Sequence, residues 1–301
     1  MTGYLHPDYA KSLSEFGVPR ELPECGAWVL ERQIPGTSER DAMGCYPIFQ
    51  CRDWSSLKKD IENLRNDLVS IALVADPFGD YDISYLQECF DIVKPFKEHF
   101  IADLSQPLAS FVAEKHRYWA RRALREIKVE LCEDPLKHLD EWVKLYGGLV
   151  ERERLTGIKA FSKKSFADQF RVPGFKMFRA VYQGITVGLQ TYYVHGDIAY
   201  GHLMSMSEIG YKTRASYAMT WASFEHLSKE KIRWVDMGGV PGVCDGASEG
   251  LAAFKRGWAS GTRMAYFCGA ILAPIKYRQI VDAKGIAHTD YFPAYRLGEF
   301  G

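Results

Sequence analysis

Three strand-like runs separated by tight turns constrain the fold of this 301-residue chain more than any other feature. The runs are 175–182, 185–194 and 198–206, and Gly184 and Gly196 lie in the turns between them. Connections this short join antiparallel neighbours, because a parallel crossover needs a dozen or more residues. This region is therefore predicted to form an antiparallel meander.

Helical and strand-like patterns surround the meander. Helices are predicted at 54–68, 85–93, 110–128, 136–153, 213–229 and 248–257, and further strands at 69–75, 98–104, 233–237 and 263–272. Residues 1–50 are rich in Gly, Pro and Cys and are left unassigned. The order predicts an α+β fold in which a mixed, mostly antiparallel sheet is flanked by helices.

Composition excludes several classes of protein. Lys+Arg and Asp+Glu are both 38, and a formal net charge of zero argues against a surface that grips long nucleic acid. The seven cysteines show no CxxC spacing and the histidines are scattered, so no metal site is predicted. Neither a signal peptide nor a long apolar span is visible, and we expect a cytoplasmic protein of unknown oligomeric state.

The last third of the chain carries three short motifs in a fixed order. They are Tyr217-Ala218-Met219-Thr220-Trp221, then Asp236-Met237-Gly238-Gly239, then Gly250-Leu251-Ala252-Ala253-Phe254-Lys255-Arg256-Gly257. In this order they resemble the FemABX-like branch of the GNAT acyltransferase superfamily. That branch includes peptidoglycan-bridge aminoacyltransferases and related acetyltransferase-like proteins.

The resemblance implies an architecture and a role for one lysine. Members carry tandem GNAT-like halves, so 1–109 is expected to be a reduced N-terminal half and 110–301 the acyltransferase half. The lysine of the Phe-Lys motif is associated with the transferring acyl group, which implies a catalytic role for Lys255 and a substrate-binding role for Phe254.

Acyl transfer gives Lys255 and Asp236 physical tasks. Negative charge grows on the carbonyl oxygen when an amine attacks, and a fixed cation there contributes about 3–4 kcal/mol. Lys255 suits that task, although a lysine on an amphipathic helix can equally extend to solvent. Asp236 precedes a Gly-Gly pair, where it either accepts a proton or orients a substrate, or organises the turn through backbone bonds.

Two basic segments are candidates for binding the donor. Arg117, Arg121 and Arg125 recur every four residues, so they are predicted to share one helix face and to bind phosphates, unless they are solvated or paired internally. Lys212 and Arg214 lie at the start of the 213–229 helix, where CoA-dependent GNAT enzymes hold a Gly-rich pyrophosphate loop. That glycine pattern is missing, which favours a donor other than CoA.

The predicted function follows from these features. We expect an aminoacyl group to pass from the acceptor end of aminoacyl-tRNA to a small amine-bearing acceptor, such as a peptide, an amino sugar or a peptidoglycan-precursor-like molecule. No cofactor is expected. Tyr192 and His202 on the central strands are predicted to line the cleft or to belong to the core. The alternatives are an acyl-CoA-dependent N-acyltransferase and a non-catalytic binding module.

Overall fold

The computed structural model describes residues 1–153, 156–240, 246–286 and 289–299. Within these ranges the strands are β1 (Val18–Leu22), β2 (Ala27–Gln33), β3 (Arg40–Gly44), β4 (Ser70–Val74), β5 (Ile92–Asp103), β6 (Ile127–Leu131), β7 (Phe175–Tyr182), β8 (Ile185–His195), β9 (Ile198–Met206), β10 (Trp234–Asp236) and β11 (Gly261–Ile271). The α-helices are α1 (Pro7–Ser12), α2 (Leu57–Leu64), α3 (Ile83–Cys89), α4 (Leu108–Phe111), α5 (Glu114–Ala123), α6 (Leu139–Glu153), α7 (Lys163–Gln169), α8 (Glu208–Lys212), α9 (Ala215–Lys229), α10 (Gly246–Arg256) and α11 (Pro274–Ala283). None of the helices in the described ranges is both long and apolar enough to cross a membrane.

One compact unit comprises Met1–Gly3, Lys97–Leu155 and Ser162–Arg263. Its strands follow the order β5-β10-β9-β8-β7-β6, and neighbours are antiparallel except β9 and β10. The predicted meander is confirmed as β7, β8 and β9. Gln183 and Gly184 between β7 and β8 have φ of 48° and 79°, the backbone that a two-residue hairpin turn requires.

Helices cover both faces of this strand set. On one face α9 packs against β7 and β8 through Phe224 and Leu227, which share a buried cluster with Phe178 and Tyr192. On the other face, α6 and α7 contribute a chain of aromatic rings that ends on the strands. Its members are Trp142, Tyr146, Phe166, Phe170, Phe175 and Tyr193. Because both faces are covered, most residues of β8 are buried.

The other compact unit comprises Tyr4–Phe96, Thr156–Phe161 and Met264–Gly301. Its strand order is β1-β2-β3-β4-β11, with β3 and β4 parallel and the other neighbours antiparallel. Helix α2 buries Leu57, Ile61 and Leu64, the residues whose spacing predicted a helix at 54–68. Most of residues 1–50, which the sequence pattern left open, belong to this unit, in which they form α1 and the strands β1, β2 and β3.

A buried ion pair joins the C-terminal segment to β3. Asp41 is fully buried, and Arg296 donates Nε and Nη2 to its two oxygens at 2.5 and 2.8 Å. Tyr295 donates its hydroxyl to the same carboxylate at 3.2 Å, and Arg32 Nε lies 3.4 Å away. The C-terminal segment forms a 3₁₀ turn at Ala294–Arg296, from which Arg296 reaches inward to Asp41.

The α+β class and the mixed, mostly antiparallel sheet are confirmed, but several predicted helix ends are wrong: the helices expected at 54–68 and 85–93 end at Leu64 and Cys89. The helix predicted over 110–128 is α4 and α5, and α5 ends at Ala123 because β6 begins at Ile127. The contiguous halves 1–109 and 110–301 stay a prediction. The compact units differ from them, since Met264–Gly301 groups with the N-terminal strands.

Replacement of Arg296 with Met should lower the free energy of unfolding by about 3 kcal/mol, because Asp41 would lose its bidentate partner in a buried site. Urea denaturation followed by circular dichroism measures this change. Arg278→Met, on the exposed face of α11, is the matched control and should stay within about 0.5 kcal/mol of the parent. Equal effects of the two substitutions would contradict the assignment.

Candidate functional site

A buried carboxylate lies at the end of β10. Asp236 is 2% exposed, and its two oxygens lie 2.8 and 3.0 Å from Nδ1 of His99 on β5, which is 7% exposed. Asp236 pairs with Ile101 in the antiparallel register, so His99 is its diagonal neighbour on the same face. Asp236 Oδ1 also accepts the Gly238 N–H at 2.7 Å. Asp236 therefore organises the turn that follows it and holds a histidine.

Lys255 of α10 binds the same turn from the other side. Its Nζ donates to the carbonyl oxygens of Gly239 and Gly238 at 2.6 and 3.3 Å. Gly238 has φ of 70°, a conformation that favours glycine and presents consecutive carbonyls to one cation. The two bonds use two of the three ammonium protons, and the third can serve a ligand.

The surroundings of Lys255 disfavour its charged form. Burial lowers the pKa of Lys255 to about 8, the nearby Asp236 carboxylate acts to raise it, and Lys97 acts to lower it. Desolvation is the largest of these causes, since an ammonium loses hydration that two carbonyl oxygens replace only in part. A lysine that titrates near pH 8 is a charged donor at neutral pH and loses that charge in mild alkali.

An aromatic cluster fixes the helix that carries Lys255. Phe254, predicted to bind substrate, packs against His116, Tyr217 and Trp258 with ring centroids 5.2–6.1 Å away. His116 Nε2 lies 3.0 Å from the Phe254 carbonyl oxygen, and burial lowers the pKa of His116. A Cβ at Gly257 would overlap the His116 ring, so only glycine permits this contact. The Phe-Lys motif thus combines a packing residue and a site residue.

The strand ladder beside this turn is short. Parallel pairing of β9 with β10 covers Ile198–Tyr200 and ends at Asp236, although β9 continues to Met206. Gly201 lies at the parting point, where a Cβ would stand 3.2 Å from the Asp236 carbonyl oxygen. Backbone groups beyond a ladder's end need another partner. The Gly238-Gly239 turn and Lys255 therefore lie next to the point at which β10 parts from β9.

A second feature of the same unit is a basic cleft of about 310 Å³ at the start of α9. Its lining residues are Trp119, Arg122, Ala123, Glu126, Lys212, Thr213 and Arg214. The guanidinium of Arg214 lies 3.5 Å from the centre of the Trp119 ring, and that of Arg122 lies 5.5 Å away. Arg214 immediately precedes α9 with φ of 60°, and its side chain does not cap the helix.

The predicted arginine stripe is wrong at one of its three positions. Arg125 follows the end of α5 and lies in the turn before β6, so it does not share a helix face with Arg117 and Arg121. Arg121 Nε donates to the backbone oxygen of Arg117 at 3.3 Å. Among the arginines of α5, it is Arg122 that lines the basic cleft. The i, i+4 spacing could not reveal this, because the end of the helix determines which residues face α9.

The remaining predicted site residues lie in different places. Lys212 lines the basic cleft and pairs with Glu208. Tyr192 is buried and its hydroxyl lies 2.9 Å from Ser223 Oγ on α9, whereas His202 Nε2 lies 3.0 Å from Gln169 Oε1 on α7. Tyr192 and His202 thus contact helices on opposite faces of the strands. Burial lowers the pKa of His202 to about 3.

Sequence reasoning missed His99, Trp119 and Arg122. The strand predicted at 98–104 contains His99, but no spacing rule joins it to Asp236, because 137 residues separate them. Trp119 and Arg122 occupy a stretch recognised as basic, and a contact with the start of α9 would have identified them. Both assignments depend on tertiary contacts, which cannot be read from a single sequence.

The titration of Lys255 tests the electrostatics of this site. After reductive ¹³C-dimethylation, NMR should show the Lys255 signal titrating near pH 8. Asp236→Asn keeps the oxygen that accepts the Gly238 N–H but removes the negative charge, so the pKa should fall. Lys97→Met removes a positive charge and should raise it. Shifts in the same direction for both variants would contradict this account.

Comparisons with known proteins show the fold. No family model and no curated protein matches the sequence. The chain is similar in structure to FemX, with a TM-score of 0.69 and 15% identity, over 91% of this chain and 93% of FemX. It is also similar to the C-terminal domain of an Agrobacterium fabrum protein assigned as a lysylphosphatidylglycerol synthetase (TM-score 0.65, 15% identity, 94% of this chain and 93% of that one). L-PGS from Bacillus licheniformis matches with a TM-score of 0.60 and 15% identity, over 95% and 98% of the chains. The chain therefore shares the fold of FemX, in agreement with the fold that its motif resemblance implies.

Proposed function

We propose that this protein is an acyltransferase that forms an amide bond, with an aminoacyl-tRNA as donor and a small amine-bearing molecule as acceptor. The observation that carries this proposal is the placement of Lys255, whose ammonium is held on the Gly238-Gly239 turn beside the edge of β9. Lys255 is thus the lysine of the motif that suggested the function, and it is also a cation held in place by two backbone carbonyl oxygens.

Lys255 would stabilise the oxyanion that forms when the amine attacks. The two carbonyl bonds fix the direction of Nζ, so its third proton needs no reorganisation when negative charge develops. Partial desolvation strengthens that interaction, because charges interact more strongly where water is excluded. The same desolvation lowers the pKa, which links the catalytic advantage of this lysine to a loss of function in alkali.

The basic cleft at α9 supplies phosphate recognition. Arg122, Lys212 and Arg214 converge there beside the start of a 15-residue helix, an arrangement of positive charge and helix dipole that suits phosphate. Trp119 offers a ring on which a nucleobase can stack. A protein with a formal net charge of zero can bind the acceptor end of a tRNA at such a local cleft without contacting the rest of the tRNA.

The acceptor class rests on the family resemblance and on the names of structural neighbours. The name lysylphosphatidylglycerol synthetase describes a product in which an aminoacyl group is attached to a lipid, and that protein shares this fold. We take this as support for aminoacyl transfer in the present chain. The proposed acceptors are a peptide, an amino sugar or a peptidoglycan-precursor-like amine.

An acyl-CoA-dependent N-acyltransferase is the second candidate, because the same cleft could hold the pyrophosphate of CoA. Against it, the loop before α9 lacks the repeated glycines that let backbone N–H groups surround a pyrophosphate. Gly210 has a different reason to be glycine, since a Cβ there would overlap the Val187 carbonyl oxygen. The loop thus favours recognition by arginine side chains.

A donor assay separates the two candidates. Incubation with labelled aminoacyl-tRNA and with acetyl-CoA, each with a panel of amine acceptors, should give amide product only from the tRNA. Arg214→Ala should raise the donor KM about tenfold with a smaller effect on kcat, because a charge-assisted phosphate contact is lost. Lys144→Ala, an exposed lysine of α6, is the control. Product from acetyl-CoA alone would refute the tRNA donor.

Variants of Lys255 test the catalytic assignment. Lys255→Ala should lower kcat at least 100-fold, because the oxyanion loses its donor. In the parent protein kcat/KM should fall as pH rises through about 8, since the charged form is the active one and burial lowers its pKa. Lys255→Arg should keep its charge and lose this alkaline decline. Full activity in a folded Lys255→Ala variant would refute the catalytic role assigned to Lys255.

A further inference from the structure

We propose that His99 is the base that accepts the proton of the attacking amine, and that Asp236 holds its ring in the orientation and tautomer this requires. The inference rests on the proposed function and extends it, because Lys255 is a cation and cannot take that proton while it stabilises the oxyanion. His99 belongs to no sequence motif of the chain and is positioned only by strand pairing.

The geometry of the pair determines the tautomer. Nδ1 lies 2.8 and 3.0 Å from the two oxygens of Asp236, within hydrogen-bonding distance of both. An ionised carboxylate only accepts, so the shared proton belongs to Nδ1. In the neutral imidazole Nε2 then carries the lone pair. This is the tautomer in which a histidine acts as a base while a carboxylate stabilises the imidazolium.

Nε2 is available for a substrate. Nδ1 makes the hydrogen bonds of this ring, and no residue in the described ranges pairs with Nε2. The atom is also absent from the buried polar atoms that lack a partner among those residues, so it is not sealed from solvent. The His99 side chain is 9% exposed, which leaves one narrow approach to the ring.

Other candidate bases near the turn are engaged. Glu98 Oε1 accepts the Thr262 hydroxyl at 2.8 Å, and Asp236 already accepts from His99 and from the Gly238 N–H. Lys255 is a cation at neutral pH, because burial lowers its pKa only to about 8. Beside this turn, His99 Nε2 offers a nitrogen lone pair that no residue of the described ranges engages. One turn therefore joins a cation for the carbonyl oxygen to a base for the amine.

The proposed step is balanced without any further reagent. The amine nitrogen forms a bond to the carbonyl carbon, and its proton moves to Nε2 of His99. The bond from that carbon to the donor oxygen breaks, and the leaving oxygen takes the proton from the imidazolium. His99 returns to its neutral form, and the products are an amide and an alcohol.

Two amide substitutions separate the base from the structural pair. In His99→Asn the side-chain nitrogen replaces Nδ1, so the bond to Asp236 is kept and the base is lost. In His99→Gln the amide replaces Nε2 and the bond to Asp236 is lost. We expect both to lower kcat at least 100-fold. His99→Asn should retain the parent's donor KM and unfolding midpoint.

Rescue by a small base gives a readout that packing alone would not produce. Imidazole added to His99→Ala should restore turnover in proportion to its unprotonated concentration. His138→Asn is the control, because His138 also contacts a carboxylate, Glu141 at 2.9 Å, yet is partly exposed on another element. It should behave like the parent in every assay.

These experiments distinguish an error in the role assigned to His99 from an error in the proposed function. If the parent protein transfers no acyl group from any donor, the acyltransferase proposal itself is wrong. If the parent is active and folded His99→Asn is equally active, the role of His99 as base is refuted. Loss of activity in His99→Asn without imidazole rescue of folded His99→Ala would assign His99 a structural role and overturn the proposal.

Discussion

The buried carboxylate of Asp236 is the interaction on which the candidate site depends. It accepts the Gly238 N–H and contacts His99, so one side chain fixes the turn after β10 and joins it to β5. The carbonyls of that turn then hold the Lys255 ammonium. A carboxylate buried to this extent is stable only when donors satisfy it. Turn, histidine and lysine are therefore parts of one polar network.

The fold was predictable where local signals are strong. Short turns around Gly184 and Gly196 identified the meander, and its three strands match to within one residue. Leu57, Ile61 and Leu64 identified α2 from periodicity alone. Residues 1–50 could not be assigned, because β1–β3 owe their stability to pairing with each other rather than to any local pattern.

The site was predictable only where residues lie close together in sequence. Asp236, Gly238 and Lys255 belong to one short stretch, and the motif identified them. His99 lies 137 residues away, and the antiparallel register between β5 and β10 brings it to Asp236. Arg125 shows the converse error, since regular spacing suggested a shared face that the end of α5 removes. Periodicity predicts which residues share a face within an element, but it does not predict where the element ends.

Helix α5 connects the basic cleft to the helix that carries Lys255. Its first turn is clamped to α10, since His116 lies against Gly257 and the Ala113 N–H bonds the Gly257 carbonyl at 2.9 Å. Its last turn carries Arg122 into the basic cleft. Six residues of helix span about 9 Å, so α5 fixes the distance between the basic cleft and the helix that carries Lys255. A donor of the proposed kind would therefore need a matching distance between its phosphate and its reactive carbonyl.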